Sequence, residues 1–386
     1  MDNVTRNVTI GLFRWNTDYS KQAGVTTIAL ALAQAWQQLG CQIFWIGSAP
    51  PSAIAHRLTW IDCPPTTPGL IQGVYRALAQ EPIDLFVTFE PFTEGPAAAT
   101  VKAQTGIPFV HLGMHFANNE DPQASHAEMF TYRSADMIVY QCRWFLNHYI
   151  APKFGPAFAE HKPSIVVPFG VDTTIFSPRP PTVKAPDRPI LLFNGRLNQE
   201  NCAAPEYDKG AHYLITAIPK LVQHYSNLKV IVVGNGPQLP QLQAIAQASE
   251  ITQHVTFLGE VDDRHRLIAH LQQASIFVLP SVCDVFPVAI VEAMASGLPI
   301  VSTTVGGIPE CVHAPNGTGE TGEACGILVE PARSDLLAHA ILKLLSNSAL
   351  RQQMGQQARE KATSEYDWSV AASKTLVAFY NLLGQR

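Results

Sequence analysis

Two cations and two carboxylates are spaced so that they could manage a departing diphosphate. Gly195-Arg196-Leu197 directly follows the apolar run Pro189 to Phe193, and Lys209-Gly210 opens the next helical pattern, so one connection carries two fixed positive charges. Arg offers a planar fork and Lys a point charge, and each charge-assisted hydrogen bond contributes about 1.5–3 kcal/mol when desolvated. A solvated loop Arg and an exposed helix-start Lys are the plainer alternative. Against it, a Lys at a helix amino end opposes the helix dipole and asks for an anion nearby. Removing either cation is expected to lower turnover far more than stability, because both would act on developing charge.

The carboxylates are Asp284 and Glu292, in the run Pro280 to Ala295 that passes from a strand end through a loop into a helix. Pro287 suits the first helical position, where no donor is needed, and the free amides behind it form an anion site. Glu292 then lies one to two turns into an apolar helix. A buried Glu there needs ligand hydroxyls or a cation, an internal salt bridge being the alternative.

The elements that must position these residues repeat. Apolar runs at Val8–Phe13, Gln42–Ile46, Leu85–Phe89, Pro108–Leu112, Met137–Tyr140 and Ser164–Val167 read as six strands, with a helix over Val25–Leu39 ended by Gly40. The Pro-rich stretch between Phe176 and Pro189 opposes continuous helix or sheet and marks a boundary. Beyond it, Pro189–Phe193, Lys229–Val233, Val255–Leu258, Ile276–Leu279 and Pro299–Ser302 read as five more strands. The fold class is therefore α/β, with two doubly wound sheets. Such sheets bind ligands beyond the carboxyl ends of their strands, so two that face each other are expected to enclose a cleft.

Composition bounds the function. At 386 residues, 47% hydrophobic and 15% charged, the chain is long enough for two cores and is not disordered. A net charge of -5 without a Lys/Arg cluster argues against nucleic acid. Seven scattered cysteines without CxxC spacing read as reduced thiols, which points to the cytoplasm. No apolar run is long enough to span a membrane, which leaves peripheral contact open.

These motifs resemble family 4 retaining glycosyltransferases of the GT-B fold. The resemblance runs from the Gly24 loop to the last helix. Matching elements include Pro168-Phe169-Gly170-Val171-Asp172, Gly234-Asn235-Gly236-Pro237 and Val305-Gly306-Gly307-Ile308-Pro309-Glu310. It implies two Rossmann-like domains, 1–178 with 366–386 on the acceptor side and 179–365 on the nucleotide-sugar side. It further implies that Arg196 and Lys209 hold the donor diphosphate, that Glu292 binds the ribose hydroxyls, and that Asp284 stands near the donor sugar in place of the family's first Glu. By the same resemblance, amides of Val288 and Ala289 meet the phosphates, Gly24 and Gly195 lie in loops close to them, and Gly259 and Val261 lie near the base. His115 matches the histidine lining the reaction centre. The implied partners are a nucleoside-diphosphate sugar and a hydroxyl acceptor, whether saccharide, lipid or small molecule. Departures are the shorter Asp284, Pro287 for a glycine, Phe169 for an asparagine, a single glycine at Gly24, and an insertion over Asn198–Tyr207.

No cofactor or metal is expected. His111 and His115 are spaced i, i+4 but have no carboxylate at ligand spacing, and the chain contains no D-x-D. A nicotinamide enzyme is disfavoured because Leu239 stands where the third glycine of the fingerprint belongs after Gly234 and Gly236. A P-loop NTPase lacks its motif. The remaining alternative is a GT-B module that binds without turnover, favoured only by the short Asp284.

Overall fold

A computed structural model describes residues 7–14, 24–48, 58–113, 122–182, 186–197, 209–261, 263–312 and 324–384. His115 and the Asn198–Tyr207 insertion lie outside the described residues.

The chain divides into two compact units. Unit 1, residues 1–169 with 368–386, holds a seven-stranded parallel sheet in the order β3-β2-β1-β4-β5-β6-β7. Its strands are β1 (Thr9–Arg14), β2 (Gln42–Gly47), β3 (Thr59–Asp62), β4 (Leu85–Thr88), β5 (Phe109–Gly113), β6 (Met137–Tyr140) and β7 (Ser164–Val166). Continuous apolar runs make the central strands because helices cover both faces of such a sheet. Helix α1 (Gly24–Gln38) ends two residues before Gly40, whose φ of 91° only glycine adopts without strain. Helix α2 (Glu94–Thr105) follows β4.

Unit 2, residues 170–367, holds six parallel strands in the order β10-β9-β8-β11-β12-β13. They are β8 (Ile190–Asn194), β9 (Lys229–Val233), β10 (Val255–Gly259), β11 (Ile276–Leu279), β12 (Ile300–Thr303) and β13 (Gly326–Val329). The helices used below are α3 (Ala211–His224), α4 (Arg264–Gln273), α5 (Val288–Ala295) and α6 (Ser348–Glu365).

Each sheet has one strand more than the sequence pattern indicates. The additions, β3 and β13, are four-residue edge strands. Thr59 and Asp62 of β3 are exposed, so the pattern of a buried strand is missing there.

The units part at 169/170 and 367/368, not at 178/179 and 365/366. The segment before the Pro-rich stretch packs with unit 2. Val171 N donates to Tyr366 O at 2.7 Å, Thr173 Oγ1 to Asp367 Oδ2 at 2.6 Å, and Gln272 Nε2 to Ser177 O at 3.1 Å.

Helix α7 (Trp368–Gly384) buries Ala371, Ala372, Leu376 and Phe379 in the core of unit 1. The Phe379 ring lies 5.5 Å from that of Trp36, whose Nε1 donates to Thr375 Oγ1 at 2.9 Å. Thr375→Val keeps the shape and strands a buried donor, so unfolding by denaturant should show a loss of about 1–3 kcal/mol.

Candidate functional site

The order of the six-stranded sheet reverses where β8 lies beside β11, with Leu192 opposite Phe277. Ligands of doubly wound sheets bind at such a switch point, beyond the carboxyl ends. Gly195-Arg196 leaves β8 there, and Pro280-Ser281 leaves β11.

The Gly234-Asn235-Gly236 turn supports the Arg196 loop from the side. Gly195 N donates to Val233 O at 3.1 Å, Leu197 N to Asn235 O at 3.0 Å, and Gln238 N to Leu197 O at 2.9 Å. A Cβ on Gly234 would lie 1.9 Å from Gly195 O, and one on Gly236 2.2 Å from Leu197 O. The Gly-x-Gly pair thus serves a close approach of two backbones, which accounts for it without a dinucleotide.

Lys209 and Asp284 meet. Lys209 Nζ lies 2.6 Å from Asp284 Oδ2, with side chains 18% and 6% exposed, so the pair is largely out of water. Ser281 Oγ donates to the same oxygen at 3.3 Å. Two glycines permit this. Gly210, at φ 70°, caps α3 so closely against β11 that a Cβ would fall 1.9 Å from Pro280 O. Gly306, at φ 57°, lies against Asp284 itself, and Gly307 N donates to Val285 O at 2.8 Å. The Lys209 stem also covers Gly195, whose added Cβ would sit 3.2 Å from Lys209 Cγ. Two residues that the resemblance assigns to different parts of a ligand are therefore one ion pair here.

Helix α5 begins at Val288, and Pro287, expected at the first helical position, is instead its cap residue with extended backbone (φ -80°, ψ 104°). The Pro287 carbonyl accepts from Ile290 N at 3.0 Å, so it starts the helical hydrogen bonding. The shift leaves the Val288 and Ala289 amides ahead of the first intrahelical bond, where they can meet an anion. Glu292 lies one turn further, partly buried. Burial pushes its carboxyl up to about 7, and Arg264 at the start of α4 pulls it partway back. Gly259, at φ 69°, ends β10 with its carbonyl accepting from Gly234 N at 2.8 Å, and Val261 follows partly buried.

A carboxyl raised in the folded state stabilises the fold below its unfolded value, and that contribution is lost as pH rises through about 7. Glu292→Gln removes the titration. Thermal melts at pH 5 and pH 8 should show wild type losing more stability across the interval than the variant.

Arg196 is exposed at this switch point. Gly24 opens α1 in unit 1. His111, weighed as a metal ligand, is buried in β5 with Nδ1 3.0 Å from Thr88 Oγ1 and its ring 4.9 Å from that of Tyr132.

A polar cluster at the switch point of unit 1, between β1 and β4, escaped the sequence reading. Arg14 Nη1 lies 3.0 Å from Glu94 Oε1, both buried, and Arg14 Nη2 donates to Thr26 Oγ1 at 2.9 Å. Glu94 Oε2 accepts from Phe89 N and Glu90 N, while Glu90 accepts from the amides of Phe92 and Thr93 at 2.6 and 2.8 Å. Burial and the adjacent Glu94 push the Glu90 carboxyl up to about 7. The available signal was an Arg ending an apolar strand and two Glu four residues apart after another.

Residues 178–361 match the family model described as glycosyl transferases group 1. The glycogen synthase of Mycobacterium tuberculosis is 31% identical over 255 residues, 66% of this chain and 56% of that protein. A GDP-mannose-dependent alpha-(1-6)-phosphatidylinositol monomannoside mannosyltransferase of the same organism is 30% identical over 244 residues, 60% of this chain and 59% of that one. The chain spans little more than half the length of these relatives. The HepE protein of Anabaena, solved with UDP-glucose, shares the fold with a TM-score of 0.71 at 18% identity, covering 96% of this chain and 100% of that one. Two Rossmann-like units and the fold shared with HepE give the chain the GT-B fold, and residues 178–361, most of unit 2, are similar to the group 1 glycosyltransferases.

Proposed function

We propose that the chain transfers a sugar from a nucleoside-diphosphate sugar to a hydroxyl acceptor, with unit 2 holding the donor. The observation that carries this reading is the convergence, at one switch point, of the Lys209 ammonium, the Arg196 loop and the amino end of α5. A diphosphate is the ligand that suits two cations and a row of free amides. Glu292, one turn into α5, accepts from ribose hydroxyls in this reading. The mannosyltransferase relative is named for GDP-mannose and HepE was solved with UDP-glucose, which supports a nucleotide sugar as donor.

In the reaction, the bond from the anomeric carbon to the diphosphate breaks and a bond to the acceptor oxygen forms, releasing the hydroxyl proton. Arg196 and Lys209 stabilise the charge that grows on the departing diphosphate, an electrostatic role that needs no metal. As the resemblance implies, Gly24 belongs to a loop close to the diphosphate and His115 lines the reaction centre. Retention of anomeric configuration follows from the resemblance, and NMR of the product tests it. A product with inverted configuration would contradict that clause.

Arg196 gives the cleanest single test because its side chain is exposed. Arg196→Ala should leave the melting temperature unchanged and lower turnover about 30-fold, the equivalent of one charge-assisted hydrogen bond of about 2 kcal/mol. Steady-state release of nucleoside diphosphate reads it, and unchanged turnover would remove Arg196 from the site.

A further inference from the structure

Helix α5 is fastened at both ends to the places where the chain enters and leaves unit 2. At its carboxyl end, Arg359 of α6 donates from Nη1 to Ala295 O at 2.6 Å and to Phe176 O at 2.8 Å, and from Nη2 to Thr173 O at 3.0 Å. Ala295 is the last residue of α5, so its carbonyl is one that the helix cannot satisfy itself, and a cation there complements the dipole. Thr173 and Phe176 lie just past the entry at 169/170. The exit at Asp367 is stitched to the entry by Val171 N to Tyr366 O at 2.7 Å and Thr173 Oγ1 to Asp367 Oδ2 at 2.6 Å. At the amino end of α5, Phe286 precedes the cap Pro287 and meets the Tyr366 ring edge to face, with centroids 6.0 Å apart. The Tyr366 hydroxyl donates to Glu310 O at 3.2 Å, which fixes that ring in place.

We propose that Arg359 is a positioning residue for α5, and that through it and Tyr366 nucleotide occupancy at the amino end of the helix is felt at the entry and exit segments. This rests on the donor reading above. A short helix held at both ends moves as a rigid piece, so a ligand that pulls on its free amides loads both fastenings. The planar fork of Arg359 reaches three carbonyls from two different segments, and a lysine, with a single point charge, cannot hold them in the same geometry. A clamp that served stability alone would lower the melting temperature and leave ligand response at the entry segment unaltered.

Hydrogen exchange on the full chain, with and without UDP, GDP or ADP, separates these cases. The nucleotide that slows exchange over 280–292 is expected to slow it by at least about fivefold over 171–176 as well. In Arg359→Lys the slowing over 280–292 should persist, that over 171–176 should disappear, and the Kd should rise about tenfold. Slowing confined to 280–292 in wild type overturns the inference, and so does full transmission in Arg359→Lys. If the variant does not fold, the wild-type comparison alone decides. A chain in which no nucleotide affects 280–292 contradicts the donor reading itself, a result distinct from either.

Discussion

Lys209→Ala should lower kcat/KM by about 10³-fold and also destabilise the fold by roughly 3 kcal/mol. The first effect follows from removing a cation aimed at the leaving diphosphate, where a charge held in a dry site is worth about 3–4 kcal/mol of barrier. The second follows from the 2.6 Å pair. Asp284 is 6% exposed, so alanine at 209 leaves it buried with, among the described residues, only the Ser281 hydroxyl donating to it. The structure thereby revises the expectation that loss of this cation would spare stability; that expectation still holds for the exposed Arg196. A double variant, Lys209→Ala with Asp284→Asn, separates the two effects, since it removes the stranded charge without restoring the cation. Melting should recover in the double variant while turnover stays low. Equal recovery of both would mean that Lys209 is needed only to neutralise Asp284.

Gly306→Ala is expected to be nearly as damaging, although it touches no ionisable atom. At φ 57° an alanine carries a strain of about 1–2 kcal/mol. Its Cβ would also fall 1.5 Å from Asp284 O. A backbone oxygen tied into a loop cannot retreat as a flexible side-chain tip can, so the loop over Asp284 and Val285 must shift and carry the Asp284 carboxylate away from Lys209. Turnover should fall by at least about 100-fold, with a drop of several degrees in melting temperature. Gly307, whose amide holds Val285 O at 2.8 Å, is displaced by the same movement. A Gly306→Ala protein with normal turnover would show that the position of residue 284 is not critical.

The sheets and the helix after β11 were legible because long apolar runs and Gly or Pro punctuation act locally. The edge strands were not. Thr59-Trp60-Ile61-Asp62 buries only Ile61, and Gly326-Ile327-Leu328-Val329 opens on a glycine followed by three half-buried residues, so pairing with β2 and β12 is what makes them strands. Arg196, Lys209, Asp284 and Glu292 could be singled out by residue type and place in the chain. What lay beyond reach was their pairing, since the Lys209–Asp284 contact joins loops 75 residues apart through closeness that Gly210 and Gly306 permit. Pro287 illustrates a smaller limit: a proline is accepted both at a helix cap and one residue later, and tertiary packing chose the cap. Arg359 offered no signal, because its partners are backbone carbonyls and any sequence supplies those.

Among the described residues no helix is long and apolar enough to cross a membrane. The direct test of the donor site is a panel of UDP, GDP and ADP sugars, read by thermal shift and by release of nucleoside diphosphate in wild type and Lys209→Ala with Asp284→Asn. One base class should raise the wild-type melting temperature in proportion to occupancy, with slow release of its diphosphate, and the double variant should show neither. Stabilisation and release of the same size in the double variant, or no response to any donor in wild type, would contradict a diphosphate site built on Lys209.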